Sequence, residues 1–222
     1  MVCDVIIPAG GSGTRFGGAV NKILVPLKGK PLLWHVLKVL GGHPAVRRIV
    51  IACRREEEAA LRAIGEALTA EEAAFPELLF TEGGAQRQQS VYRALKLCRE
   101  DWVLIHDGAR PYLSRDMVDA CLEALETYPA VSAGVVSKDT VKIVNEKNEV
   151  LQTTDRSRTI LVQTPQGFHR QALWEVHKKF RGLSATDDCG LMEMAGYPVK
   201  IIPGSYGNIK ITTPEDLPPQ DS

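Results

Sequence analysis

Short apolar runs alternate with amphipathic stretches along most of the chain. Residues 2–8 are almost continuously apolar, the pattern of a parallel strand buried on both faces. Pro31 can open a helix where no N–H is needed, and Gly41-Gly42 closes it. Further strands are expected at 48–53, 78–81, 102–105, 131–136 and 199–202. Helices are expected at 56–68, after Gly83-Gly84, near 116–128 and at 171–180. The helix after Gly83-Gly84 puts Val91, Ala94, Leu95 and Cys98 on one face. The next places Met117, Ala120, Cys121, Ala124 and Leu125 at helical spacing.

The rhythm breaks between 138 and 162. Two extended stretches, 140–144 and 149–154, flank a polar turn and predict a projecting β-hairpin arm. Such an arm either folds onto its own domain or seeks a partner chain. A last extended piece is expected at 208–211, and the tail 217–222, with Pro218-Pro219, is expected to be frayed and not helical. Neither an internal repeat nor a Gly/Ser linker is found. The expectation is one α/β domain over 1–222, Rossmann-like, with a mostly parallel sheet flanked by helices.

Ligands of such sheets bind beyond the carboxyl ends of the strands. Three polar clusters fall there: 10–22 after the first strand, 83–90 after the third and 106–110 after the fourth. The first is a glycine loop, Ala9-Gly10-Gly11-Ser12-Gly13-Thr14-Arg15-Phe16, with Lys22 just past it. Glycines let backbone N–H groups approach a ligand, and the two cations suit a triphosphate. The loop is neither of the two common phosphate motifs. G-x-x-x-x-G-K-[ST] does not occur, and Phe16 stands where G-x-G-x-x-G needs its third glycine.

Phosphoryl and nucleotidyl transfer need positioning and charge neutralisation more than covalent help. Arg15 and Lys22 fit that need; the alternatives are a surface cation for Arg15 and a solvated loop residue for Lys22. Asp107, ending an apolar strand, suits Mg²⁺, which takes one or two carboxylates plus substrate phosphates; a loop or cap carboxylate is the equal alternative. His106 lacks a second histidine at supporting spacing and reads as structural, as do His35, His43, His169 and His177. The segment from Gly83 to Ser90 can approach a base or ribose, or can simply start a helix. Arg110, Thr140, Arg156, Thr164 and Lys210 are polar candidates that sequence alone does not single out among 27 basic residues.

Composition narrows the classes. Lys plus Arg (27) equals Asp plus Glu (27), which argues against a nucleic-acid binder working by bulk positive charge. No apolar run approaches the ~20 residues of a membrane span, and no leader pattern opens the chain. The five scattered cysteines, with no C-x-x-C, read as reduced core thiols, so a cytoplasmic location is expected.

The loop from Pro8 to Phe16 with Lys22 resembles the signature of nucleotidyltransferases of the GT-A-like fold. Gly83-Gly84-x-x-Arg87-x-x-Ser90-Val91 and His106-Asp107-Gly108-Ala109-Arg110-Pro111 are similar to the second and third motifs of the 2-C-methyl-D-erythritol 4-phosphate cytidylyltransferase family. Asp139-Thr140-Val141-Lys142, Arg156, Gln163-Thr164-Pro165-Gln166, Thr186-Asp187 and 208–212 continue the match in order. The resemblance implies that CTP and a small polyol phosphate, methylerythritol 4-phosphate, are joined with release of pyrophosphate. It implies that Arg15 and Lys22 are catalytic and that Asp107 holds Mg²⁺. It implies nucleotide contacts from Ala9, Gly10, Gly11, Gly84, Ser90, Asp107 and Gly108. Sugar-phosphate contacts would come from Arg110, Thr140, Arg156, Thr164, Thr186 and Lys210. The arm would interlock a homodimer and carry Arg156 to the neighbour's site. Asn21 stands where the family usually has proline, and Gly108 where alanine is common. Ribitol-5-phosphate cytidylyltransferase, a nucleotidyltransferase for another base, and a non-catalytic nucleotide binder are the competing readings.

Overall fold

The computed structural model describes residues 1–11, 21–71, 74–183 and 185–218. A seven-stranded sheet organises it. In chain order its strands are β1 (Cys3–Pro8), β4 (Val46–Cys53), β5 (Glu77–Glu82), β6 (Trp102–Ile105), β7 (Ala130–Val136), β10 (Ile160–His169) and β11 (Val199–Pro203). Two short ladders stand apart: β2 (Pro26–Leu27) with β3 (Lys30–Pro31), and β8 (Lys142–Val144) with β9 (Val150–Thr153). The helices are α1 (Leu32–Gly41), α2 (Glu58–Glu71), α3 (Arg87–Leu95), α4 (Arg115–Leu125), α5 (Arg170–Lys179) and α6 (Asp188–Met194).

The spatial order is β11-β7-β10-β6-β1-β4-β5. Neighbours pair in parallel except at β10, which runs antiparallel to both β6 and β7. The sheet is therefore mixed and mostly parallel, as the alternating pattern predicts. Strand residues divide between two cores with period two, because successive side chains leave opposite faces. Val5 and Ile7, with Ile49 and Ile51, face α1, α2 and α4. Ile6, with Val50 and Ala52, faces α3, α5 and α6. Helix α1 buries Leu33, Val36, Leu37 and Leu40, and truncating one such leucine costs about 2–5 kcal/mol.

Three expectations are corrected. The apolar pattern does not predict strand β10, because Pro165 lies within it and a proline argues against an interior strand. The β10–β7 ladder resolves the conflict with a register shift between Val162 and Gln166, so the missing N–H falls at the irregularity. The arm consequently ends before Ile160, and residues 160–162 belong to the main sheet. Segment 208–211 is not a strand; it is tied down by the Ile211 amide donating to Ala109 O at 2.8 Å. Leu217 packs against the small cluster of Leu27, Leu32 and Ile211, so the chain is held as far as that residue; residues 219–222 lie outside the described ones. The five cysteines are buried free thiols. Burial pushes Cys3 up to about 12 and Cys53 up to about 11, which makes them inert.

Candidate active site

The strand ends of β1, β5 and β6 open onto one cavity of about 440 Å³. Ala9, Gly10, Gly11, Lys22, Gly84, Ser90, Asp107, Gly108 and Lys210 all line it, with Gln86, Arg87 and Thr212. The three polar clusters of the sequence converge there. Arg15 lies outside the described residues.

Close backbone approach shapes the nucleotide side. The Ala9 amide donates to Ala52 O and the Gly83 amide to Cys53 O, each at 2.7 Å, drawing both glycine loops over the end of β4. A Cβ on Gly83 would sit 3.3 Å from the Gly10 Cα. A Cβ on Gly84 would fall 2.2 Å from Gln89 Cβ, so that position excludes a side chain. Ser90 is buried, accepts from the Gly84 amide at 3.0 Å and donates to Gln86 O at 3.3 Å. It fixes the loop from the first turns of α3.

The Asp107 carboxylate accepts from Lys210 Nζ at 2.8 Å, with Arg110 Nε at 3.6 Å. Burial alone would raise its pKa, but Lys210, Arg87 and Arg110 outweigh burial and hold it well below the usual carboxylate range. Beneath it, the Asp107 amide donates to Thr164 Oγ1 at 3.0 Å. Thr164 Oγ1 lies 3.1 Å from His106 Nδ1, and His106 Nε2 lies 3.2 Å from Arg110 O. Only a donor suits that carbonyl, so Nε2 carries the proton and the Thr164 hydroxyl donates to Nδ1. Burial pushes His106 down to about 4. His106 is thus a neutral structural brace, as the sequence suggests.

The sugar-phosphate candidates divide. Lys210 lines the cavity. Arg110 borders Asp107 and donates to Asn208 O at 2.8 Å. Thr164 is buried, its hydroxyl turned to the His106–Asp107 turn. Thr140, Arg156 and Thr186 are exposed and do not line the cavity of this chain; Arg156 donates to Lys138 O at 3.4 Å at the base of the arm.

Arg87 is a cavity residue that the sequence places within a motif but without a role. It pairs with buried Asp188, which also takes His177 Nε2 at 2.9 Å. Burial disfavours its charge, but Asp188, Asp107 and Asp187 outweigh that and keep Arg87 ionised. Its place opening the helix after Gly83-Gly84 is the available signal; the partner, 101 positions away, is not visible in the sequence.

Among the described residues, no three His, Cys, Asp or Glu side chains gather as a metal site. The ionised Asp107 carboxylate in the cavity still fits Mg²⁺, whose remaining ligands can be triphosphate oxygens and water.

A family model described as 2-C-methyl-D-erythritol 4-phosphate cytidylyltransferase matches residues 3–220. A protein of that name from Bacillus mycoides (strain KBAB4) is 40% identical over 216 residues, spanning 96% of this chain and 93% of the relative. One from Microcystis aeruginosa (strain NIES-843) is 43% identical over 218 residues, spanning 96% and 94%. The solved 4-diphosphocytidyl-2C-methyl-D-erythritol synthase of Anaerococcus prevotii superposes with TM-score 0.84 at 29% identity, over 97% of this chain and 94% of that one. The 2-C-methyl-D-erythritol 4-phosphate cytidylyltransferase of Thermus thermophilus gives 0.76 at 32% identity, over 97% and 95%.

Proposed function

The chain belongs to the 2-C-methyl-D-erythritol 4-phosphate cytidylyltransferase family, and on that premise we propose that it joins CTP to 2-C-methyl-D-erythritol 4-phosphate. The products are 4-diphosphocytidyl-2-C-methyl-D-erythritol and pyrophosphate, a step of non-mevalonate isoprenoid synthesis. The observation that carries the reading is one cavity holding two abutting glycine loops, Lys22, and the Asp107–Lys210 pair.

A phosphate oxygen of the sugar phosphate attacks the α-phosphorus of CTP. The bond from that phosphorus to the β-phosphate oxygen breaks, and pyrophosphate leaves. The attacking phosphate is already anionic near pH 7, so the protein need not remove a proton. Lys22, with Arg15, offsets the charge that builds on the α-phosphate oxygens. The Gly10–Gly11 and Gly84–Ser90 segments hold the cytidine by close backbone approach. Lys210 and Arg110, fixed around Asp107, hold the sugar phosphate. Mg²⁺ held by Asp107 would neutralise triphosphate charge.

The reading extends to a homodimer through the β8–β9 arm. What supports it is apolar exposure: Ile143, Val144, Val150 and Leu151 on the arm, and Leu161 and Val162 beside it, are each at least 44% exposed. Thr140 and Arg156 at the arm's base then serve the neighbour's cavity. A cytoplasmic setting is supported by the buried free thiols. The test of the nucleotide half is competition among CTP, UTP, ATP and GTP in pyrophosphate release: CTP alone should support turnover, and equal use of a purine triphosphate contradicts the reading.

A further inference from the structure

Asn21 is buried at 4% exposure, one position before Lys22. Its carboxamide spends both of its donors. Nδ2 donates to Ala9 O at 2.8 Å and to Glu57 Oε2 at 2.9 Å. Its Oδ1 accepts from the Ile23 amide at 3.3 Å and caps the 3-10 turn Lys22–Leu24. Glu57 is itself buried and paired through its other oxygen with Arg54.

These bonds join three chain segments. Ala9 follows β1 and opens the glycine loop. Asn21 lies twelve positions on, at the loop's far end. Arg54 and Glu57 form the turn between β4 and α2. The same carboxamide therefore closes the two ends of the loop onto each other and fixes both to the turn after β4. Ala9 and Lys22 line the cavity that this closure brackets.

We infer that Asn21 is a positioning residue for Lys22, acting through its paired bonds to Ala9 O and Glu57. The inference rests on the role given to Lys22 above. Both donors are needed at once, because Ala9 O and the Glu57 carboxylate are acceptors only, and a buried acceptor left without its donor is costly. A carboxylate in place of the carboxamide keeps the shape and the cap on Ile23 but turns an acceptor against two acceptors. Transfer rates respond steeply to such small displacements of a charge-stabilising group.

The decisive variant is Asn21→Asp, with Glu57→Gln and the double variant as controls. Two readouts are taken: kcat and CTP KM, and the rate of tryptic cleavage after Lys22. Asn21→Asp should lower kcat about tenfold or more with CTP KM changed by less than about threefold, the split expected for a misplaced transition-state group. Cleavage after Lys22 should quicken about fivefold or more, since local opening controls it. Glu57→Gln alone has one oxygen for two donors, Asn21 Nδ2 and the Arg54 guanidinium, so it should fall between wild type and Asn21→Asp in both readouts. The double variant returns a donor to the pair and should recover at least about threefold of the lost kcat while slowing cleavage, the coupling a shared bond requires. A folded Asn21→Asp protein with near wild-type kcat and unchanged cleavage overturns the inference. So does a double variant no better than Asn21→Asp in either readout. If the wild-type protein turns over no CTP, the proposed reaction fails, and the cleavage rates alone still decide whether Asn21 clamps the segment.

Discussion

The Asp107 amide donates to the Thr164 hydroxyl at 3.0 Å, across 57 positions of chain. The end of β6 is thus aimed by the irregular stretch of β10, and the hydroxyl passes its own proton toward His106 Nδ1 at 3.1 Å. Thr164→Val keeps the shape and removes both bonds. It should cost about 1–3 kcal/mol in urea unfolding and lower kcat/KM for both substrates. Thr164→Ser should restore both. A Thr164→Val enzyme changed only in sugar-phosphate KM, at unchanged stability, would make Thr164 a direct substrate contact instead.

His106 gives the protein an acid-sensitive brace. The unfolded chain takes up a proton on this imidazole near pH 6.5, the folded chain only near pH 4. Between those values the unfolded state binds more protons, so stability falls as pH falls. The full loss is about 3 kcal/mol, from 1.36 kcal/mol per pH unit. Asp107 acts in a separate window: its depressed pKa contributes stability above about 3.8 that is lost below it. Unfolding measured from pH 7 to 4.5 should show the slope in wild type and a shallower one in His106→Asn. Identical slopes contradict the assignment.

Lys22→Ala should remove about 10²–10³ of kcat, the scale of losing one preorganised charge-stabilising group. Lys22 is only half-buried, so the melting temperature should hold within a few degrees. Lys210→Ala should act differently, raising KM for the sugar phosphate and freeing Asp107 from its 2.8 Å partner. Steady-state kinetics with each substrate varied separates the two.

Replacing exposed Ile143 and Leu151 on the arm with lysine should turn the proposed dimer into monomers, read by sedimentation equilibrium. Turnover should fall with dimer loss, because Arg156 does not line its own chain's cavity. Arg156→Ala should raise sugar-phosphate KM about tenfold while leaving the dimer intact, the cost of one charged hydrogen bond. Full activity in a monomeric arm variant contradicts the shared site.

The parallel half of the sheet was legible because its strands are nearly continuous apolar runs with glycine turns near their ends, as in 2–8 and 102–105. Those ends carry Gly10, Gly84 and Asp107, so the cavity was legible with them. Strand β10 was hidden by Pro165, whose local signal is outweighed by pairing on both sides. The roles of Thr164 and Arg87 were hidden for another reason. Each depends on a partner distant in sequence, His106–Asp107 for one and Asp188 for the other, and no local pattern encodes such pairs. Asn21 was visible as a departure from the family's residue; its bonds to Ala9 and Glu57 became apparent only in three dimensions.

The central claim is tested most directly by pyrophosphate release from CTP and Mg²⁺, with methylerythritol 4-phosphate and ribitol 5-phosphate offered separately. The account predicts rapid release with methylerythritol 4-phosphate and little with ribitol 5-phosphate. Release with ribitol 5-phosphate alone, or with neither alcohol phosphate, would contradict it.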